Sequence, residues 1–313
     1  MTAAHSIGDP VALAAPESLP AWLRRLARAV ADLDRDGADR EARWLGFRPP
    51  PRNPALPGRP RHSAVLILFG EGDAAATASG PVSASTVLDD TASANTVSAN
   101  TASAHTASDE APSADVPSSE TDGAEPLPDN ADVLVTTRAA TLRAHAGQAA
   151  FPGGRIDPQD GGPVEAALRE AYEEAGVEPG SVEVFGLLPE LYLRPSDFMV
   201  TPVLGWWRSP APLRAGSPLE VASVHRVAVN ELAAPDNRFR VRHPSGYAGP
   251  AFEVDGLLVW GFTAGLLDAA LRLGGWERPW DHEVVRELPL DVLALATPPA
   301  SPAAPGAPGP AGE

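Results

Sequence analysis

The chain has 313 residues, a formal net charge of −17, 43% hydrophobic content and no cysteine, a length that allows one or two domains. Without cysteine there is no disulfide framework, thiol nucleophile or cysteine-ligated zinc or iron–sulfur site, and with all 24 basic residues being arginine a lysine Schiff base and a P-loop lysine are excluded as well. So acidic a chain also lacks the basic face that neutralising a nucleic-acid backbone requires, so no nucleic-acid partner is expected.

Met1 to Leu19 carries no arginine and no sustained apolar run, so it does not read as a secretory signal. Residues 18–33 then predict an amphipathic helix, with Pro20 in its first turn and Trp22, Leu23, Leu26, Val30 and Leu33 recurring at helical spacing. Arg24, Arg25, Arg28 and Asp32 take its other face, and Asp36-Gly37 ends it. Its apolar face has two docking options, the core or a second subunit, the latter making a homodimer. Residues 49–60 are proline-rich and predict an extended segment, so 1–60 read as a lead-in to the main domain, 61–296.

Ser63 to Phe69 predicts a buried strand. From 71 to 131 the composition changes to Ala, Ser, Thr, Asp and Pro without one aromatic, and a five-residue repeat runs from Thr91 to His105. Such a segment cannot bury enough apolar area to offset its ordering entropy and is expected to be disordered. Twelve acidic residues and no arginine fall between Glu71 and Asp132, so −17 less −12 leaves only −5 for the rest of the chain. The insert separates two adjacent strands, where a hairpin loop tolerates length.

The second of those strands is Val133–Thr137. A glycine-rich turn, Phe151-Pro-Gly-Gly154, leads to a helix over 163–175, followed by strands near 182–190, 198–207, 221–229, 238–243 and 251–254. A final helix is expected over 257–273, followed by a loop holding Trp276 and Trp280, and 297–313 are expected to form a disordered Pro/Ala/Gly tail. The stretch Gly256 to Leu273 carries Asp268 and Arg272 and is too short and polar for a membrane span. The expectation is a cytoplasmic protein with an α+β core.

Chemistry concentrates in the 163–175 helix. Glu170, Glu173 and Glu174 stand three and four residues apart, so they crowd one face at roughly 5–6 Å between Cβ atoms. Mutually repelling carboxylates make sense around a hard divalent cation, since magnesium takes oxygen ligands and keeps company with substrate phosphates. Arg169 can pair with Glu173 at i,i+4; Gly176 suits the left-handed position after a helix; Leu168, Ala171, Tyr172 and Ala175 supply the face that packs on a sheet. A bare Arg-Glu-x-x-Glu-Glu is also what an ordinary solvated acidic helix shows, so the wider context decides.

That context resembles the Nudix hydrolase family, whose box reads Gly-x5-Glu-x7-Arg-Glu-U-x-Glu-Glu-x-Gly-U with U apolar. The second half matches at Arg169, Glu170, Ala171, Glu173, Glu174, Gly176 and Val177. The first half departs from it: the box glutamate falls on Gly161, and the leading glycine is one residue early, at Gly154, with Asp157 and Asp160 nearby as substitutes. Upstream, Leu134-Val-Thr-Thr-Arg138 and Leu142-Arg143-Ala-His145-Ala-Gly147, continuing to Phe151-Pro-Gly-Gly154, resemble the coenzyme A pyrophosphatase branch of that family, as do Pro195-Ser-Asp-Phe-Met-Val-Thr-Pro202, with Asp197 in place of a glycine, and Val259-Trp-Gly-Phe-Thr-Ala264.

The resemblance implies a Nudix-type α/β/α sandwich with a mixed β-sheet and a catalytic loop-helix-loop. It also implies metal-dependent hydrolysis of the diphosphate bond of coenzyme A or acyl-CoA to 3′,5′-ADP and (acyl-)4′-phosphopantetheine. Mg2+ (or Mn2+) would be held by Glu170, Glu173 and Glu174, with Arg169, Glu173 and Glu174 in the catalytic set. Gly153 and Gly154 would let the backbone approach metal and substrate. Arg138, Arg143 and Arg155 would hold the anionic substrate, with Arg194 a weaker candidate. Glu220 is the leading candidate from outside the box for metal binding or general base, with an exposed loop glutamate as its alternative. His145 divides likewise between base or phosphate contact and a structural histidine. Trp206, Trp207 and Trp260 read more readily as core than as adenine contacts. The competing readings are a pyrophosphatase acting on ADP-ribose, NADH or another nucleoside diphosphate derivative, and a binding module that has lost catalysis. Gly161 motivates the second; the retained glutamates argue against it.

Overall fold

A computed structural model describes residues 12–35, 60–72, 82–83, 125–142, 145–193, 197–244 and 246–296. The apolar run around Ser63–Phe69 becomes β1 (Arg61–Glu71), buried on both faces along most of its length. That burial follows from its place in the sheet, between β3 (Ala131–Arg138), to which it is antiparallel, and β8 (Phe198–Trp207), to which it is parallel. β1 and β3 are adjacent strands, paired at Phe69↔Val133 and Glu71↔Ala131, as the insert's position predicts. The 71–131 insert lies mostly outside the described residues; its described part includes β2 (Val82–Ser83), which pairs with β9 (Val221–Ala228).

β1 and β3 pair only at one end. Beyond it they part, and residues 149–155 wedge between them: β4 (Ala149–Ala150) pairs with β3 and β5 (Gly153–Arg155) with β1. The glycine-rich segment predicted as a turn is thus partly a strand, because the opening between the parted strands leaves unpaired backbone that Gly153–Arg155 satisfies. On the far edge of β8 lie β6 (Val182–Leu187) and β7 (Leu191–Leu193). The strand predicted over 182–190 therefore ends at Leu187, short of Pro189, which has no N–H to donate, and β7 lies beyond the predicted range. The path of the main sheet runs β2-β9-β3-β1-β8-β6.

Helices cover both faces. α1 (Arg24–Arg35) and α4 (Gly261–Gly274) pack on one, where Leu23, Leu26 and Val30 share a core with Ile67, Phe69, Leu267 and Trp276. The apolar face of α1 therefore docks on this core, not on a second subunit. α2 (Pro163–Ala175) packs on the other face through Ala166, Ala167, Ala171 and Ala175 against Ala64, Leu66 and Leu68. Tyr172 does not join them: it is 39% exposed, with the Arg214 guanidinium over its ring at 5.4 Å.

After the short α3 (Val229–Ala233) comes a second sheet, ordered β12-β11-β10-β13, from β10 (Arg238–Arg242), β11 (Ala248–Val254), β12 (Leu257–Val259) and β13 (Val285–Glu287). The helix predicted over 257–273 starts only at Gly261. Its first residues form the hairpin arm β12, turned by Asp255 and Gly256, whose φ values of 50° and 77° are those of a two-residue hairpin turn. α5 (Leu290–Ala296) ends the described chain. Among the described residues no helix is long and apolar enough to cross a membrane.

Candidate active site

The site is built where α2 crosses the glycine wedge. Pro163 opens the helix and Gly176, left-handed at φ 73°, closes it by donating to the Tyr172 and Ala171 carbonyls. The four inward alanines seat the helix low on the sheet, which brings Glu170 and Glu174 onto β5. The Gly153 N–H donates to Glu174 Oε2 at 3.2 Å. A methyl group at Gly154 would collide with the Glu170 carboxylate, and one at Gly153 with the Ala64 and Val65 backbone. Both glycines are required by close approach.

The three glutamates do not share one environment. Glu174 is buried, Glu170 nearly so, and the Glu173 side chain is 54% exposed. Successive helical residues are about 100° apart around the axis, so Glu173 falls on the flank beside Arg169 and not over the wedge. Arg169 reaches it at 3.3 Å, as the i,i+4 spacing predicts, and also donates to Glu170 Oε1 at 2.9 Å. Its remaining donors are taken by Asp160: Nε and Nη2 meet the two carboxylate oxygens, each at 3.0 Å, while Nη2 also donates to the Arg155 carbonyl. Asp160 in turn accepts the Asp157 N–H at 2.8 Å.

Electrostatics separate these carboxylates further. Burial pushes the Glu174 carboxyl up to about 7, opposed by the Arg138 charge and the Gly153 N–H and reinforced by Glu170 and Glu220. Glu170 is also raised, chiefly by burial, with Arg169 opposing and Glu173 and Glu220 adding to it. Burial alone would raise Asp160, but hydrogen bonds from Arg169 and the Asp157 N–H hold it below the ordinary carboxylate value. Arg169 itself is raised, chiefly by its hydrogen bonds to Asp160.

Glu170 and Glu174 are hard oxygen donors, desolvated and mutually repelling, beside a wedge that any side chain at 154 would fill. That donor set fits a hard divalent cation. Glu173 stands apart, and among the described residues no three histidine, aspartate or glutamate side chains converge closely enough to hold a metal.

Arg138 sits at the end of β3, where the pairing with β9 shifts register; its charge acts on Glu174, and its buried Nε has no hydrogen-bond partner among the described residues. Arg155 is exposed at the end of β5. Glu220 is exposed just before β9, accepts the Ala139 N–H on its carbonyl at 2.9 Å, and is close enough for its charge to act on both Glu170 and Glu174. Arg143 and Arg194 lie outside the described residues. His145 is left-handed at φ 57° and its Nδ1 is 3.0 Å from Gln148 Oε1, the arrangement of a loop-shaping histidine. Trp207 is buried with its indole N–H on Ser181, Trp206 packs on Trp22, and Trp260 stacks on His243, which accounts for each without adenine. Asp160 is the functional neighbour that sequence pattern brings out least: its only signal is a carboxylate one residue before the box position held by Gly161.

Comparison with known proteins agrees with this geometry. A family model, the NUDIX domain, matches residues 123–245. The uncharacterised Nudix hydrolase NudL of Cronobacter sakazakii is 40% identical over 155 residues, covering 47% of this chain and 77% of that protein. NudL of Escherichia coli K12 is 38% identical over 150 residues, covering 45% and 75%. Among solved structures, the MutT protein of Methanosarcina mazei Go1 is similar at 12% identity and a TM-score of 0.36, over 71% of this chain and 98% of that one. With the wedge glycines, α2 and its glutamates all inside the matched span, and a relative of this identity covered over three quarters of its length, the chain belongs to the Nudix hydrolase family.

Proposed function

We propose that the protein hydrolyses the diphosphate bond of coenzyme A or acyl-CoA, giving 3′,5′-ADP and (acyl-)4′-phosphopantetheine, with Mg2+ or Mn2+. The observation that carries the chemistry is the buried pair Glu170 and Glu174 set against Gly153 and Gly154. Those two carboxylates would hold the metal, with Glu173 reached by a rotation of its exposed side chain. When bound, the dication supplies charge neutralisation at the diphosphate and acidifies a water. Arg138, Arg143 and Arg155 bind phosphate oxygens, which a chain of this net acidity must do with local cations. Glu220 accepts the proton of the attacking water at its exposed carboxylate. Water oxygen bonds to one phosphorus, the bridging P–O bond breaks, and two phosphomonoesters leave.

The choice of coenzyme A rests on the Leu142-Arg143-Ala-His145-Ala-Gly147 segment and the Phe151-Pro-Gly-Gly154 that follows it. Mass-spectrometric identification of products from an equimolar mixture of coenzyme A, NADH and ADP-ribose with Mg2+ tests it. 3′,5′-ADP and phosphopantetheine are expected to form first. Coenzyme A consumed no faster than ADP-ribose would move the assignment to another nucleoside diphosphate derivative, and no product from any of the three would favour a binding module.

A further inference from the structure

The box glutamate is replaced by Gly161, yet Arg169 is fully engaged, and its principal partner is the neighbouring Asp160. We infer that Asp160 is a positioning residue: it fixes Arg169 so that one guanidinium nitrogen is left to hold Glu170 at the metal-binding wedge. The inference deepens the proposed function and rests on it for the identity of the metal site.

The geometry is specific. Arg169 presents its Nε and Nη2 to the two oxygens of Asp160 at 3.0 Å each, a bidentate pairing that fixes the guanidinium plane. With that plane fixed, Nη1 is the nitrogen that faces Glu170 Oε1 at 2.9 Å. Asp160 is itself locked by the Asp157 N–H at 2.8 Å, and its side chain is only 5% exposed. Gly161 is explained by the same arrangement: its N–H is taken by Glu165 Oε2 at 2.7 Å, and a side chain there would meet the Glu165 carboxylate. The loop thus delivers its carboxylate from position 160, while 161 serves the start of α2. An outer residue that orients a ligand is expected to change metal affinity or activity by about 10–100-fold when removed.

The test is a double-mutant cycle with two readouts, turnover of coenzyme A with Mg2+ and the Mn2+ dissociation constant measured by electron paramagnetic resonance without substrate. Asp160→Asn keeps an acceptor for the Asp157 N–H and removes the charge facing Arg169. We expect kcat to fall about tenfold or more and Mn2+ affinity by a similar factor, with KM within about threefold because the residue does not touch substrate. Asp160→Asn in an Arg169→Gln background should add nothing further, because the two act in series. Asp160→Asn within twofold of the parent in both readouts, or losses that multiply in the double variant, would overturn the inference. Should Asp160→Asn not fold, Asp160→Ser carries the same expectation. If the parent turns over none of the substrates, the proposed function fails, while the Mn2+ cycle still decides the role of Asp160.

Discussion

Glu174 has the site's most consequential environment. Its carboxyl is raised from 4.5 to about 7 because the folded chain removes it from water and sets Glu170 and Glu220 nearby. The metal-free folded state therefore holds this proton more tightly than the unfolded state does. The stability linked to that proton is present below pH 4.5 and is lost as pH rises through about 7, a difference on the order of 3 kcal/mol. Glu174→Gln removes the titration and can still accept the Gly153 N–H. In EDTA, we expect its melting temperature to match the parent at pH 4.5 and exceed it at pH 8, while turnover with Mg2+ falls by at least about a hundredfold. Scanning fluorimetry at both pH values with an activity assay checks both halves, and equal melting temperatures at pH 8 would show that Glu174 is not a buried, repelled charge. Helical spacing alone makes the cluster legible but not its division, since Glu173 and Glu174 are neighbours in sequence and part only once the alanine face fixes how α2 sits on the sheet.

At the scale of elements, the glycine wedge separates two kinds of close approach. At Gly153 an added methyl meets the Ala64 carbonyl and the Val65 backbone, which belong to the central strand and cannot yield. At Gly154 it meets the Glu170 carboxylate, the far end of a flexible side chain. Gly153→Ala should therefore destabilise the fold by roughly 2–3 kcal/mol, whereas Gly154→Ala should keep its melting temperature within a few degrees and lose turnover by turning Glu170 aside. Thermal melts and kcat for the two variants distinguish these outcomes, and equal effects on both readouts would contradict the geometry. The pair was legible as glycines that matter but not as a strand, because their hydrogen-bonding partner is β1, some ninety residues earlier in the chain. α2 and β8, by contrast, are found at the residues predicted from local pattern, the first from its carboxylates and glycine cap, the second from its alternating run. β12 was misread because Leu257 to Val259 continues the apolar pattern of α4, and only Asp255-Gly256 marks the turn between them.

At the scale of the whole molecule, the second sheet is tied to the main core by a buried arginine that sequence pattern did not distinguish from the others. The Arg238 side chain, on β10, is 1% exposed and donates from Nη2 to Asp268 of α4 at 2.6 Å and to Glu277 at 3.2 Å. It lies over the Trp280 ring at 4.7 Å and over the ring of Phe252 at 5.4 Å, and Phe252 shares the main core with Trp276, Trp22 and Phe69. Burial pulls the Arg238 pKa below its ordinary value despite Asp268 and Glu277, and its Nε and Nη1 are buried without hydrogen-bond partners among the described residues. The charge is thus incompletely compensated, and its desolvation should outweigh much of what the pairing returns. Arg238→Met leaves Asp268 with Arg272 as its one ion-pair partner among the described residues and should lower unfolding free energy by roughly 3–5 kcal/mol. Arg238→Met with Asp268→Leu removes both charges and should recover more than half of that loss, leaving Arg272 to water from its partly exposed position. Urea unfolding of the two variants decides it: a double variant no more stable than the single would mean that the ion pair, and not the cost of burying it, sets the stability of this joint.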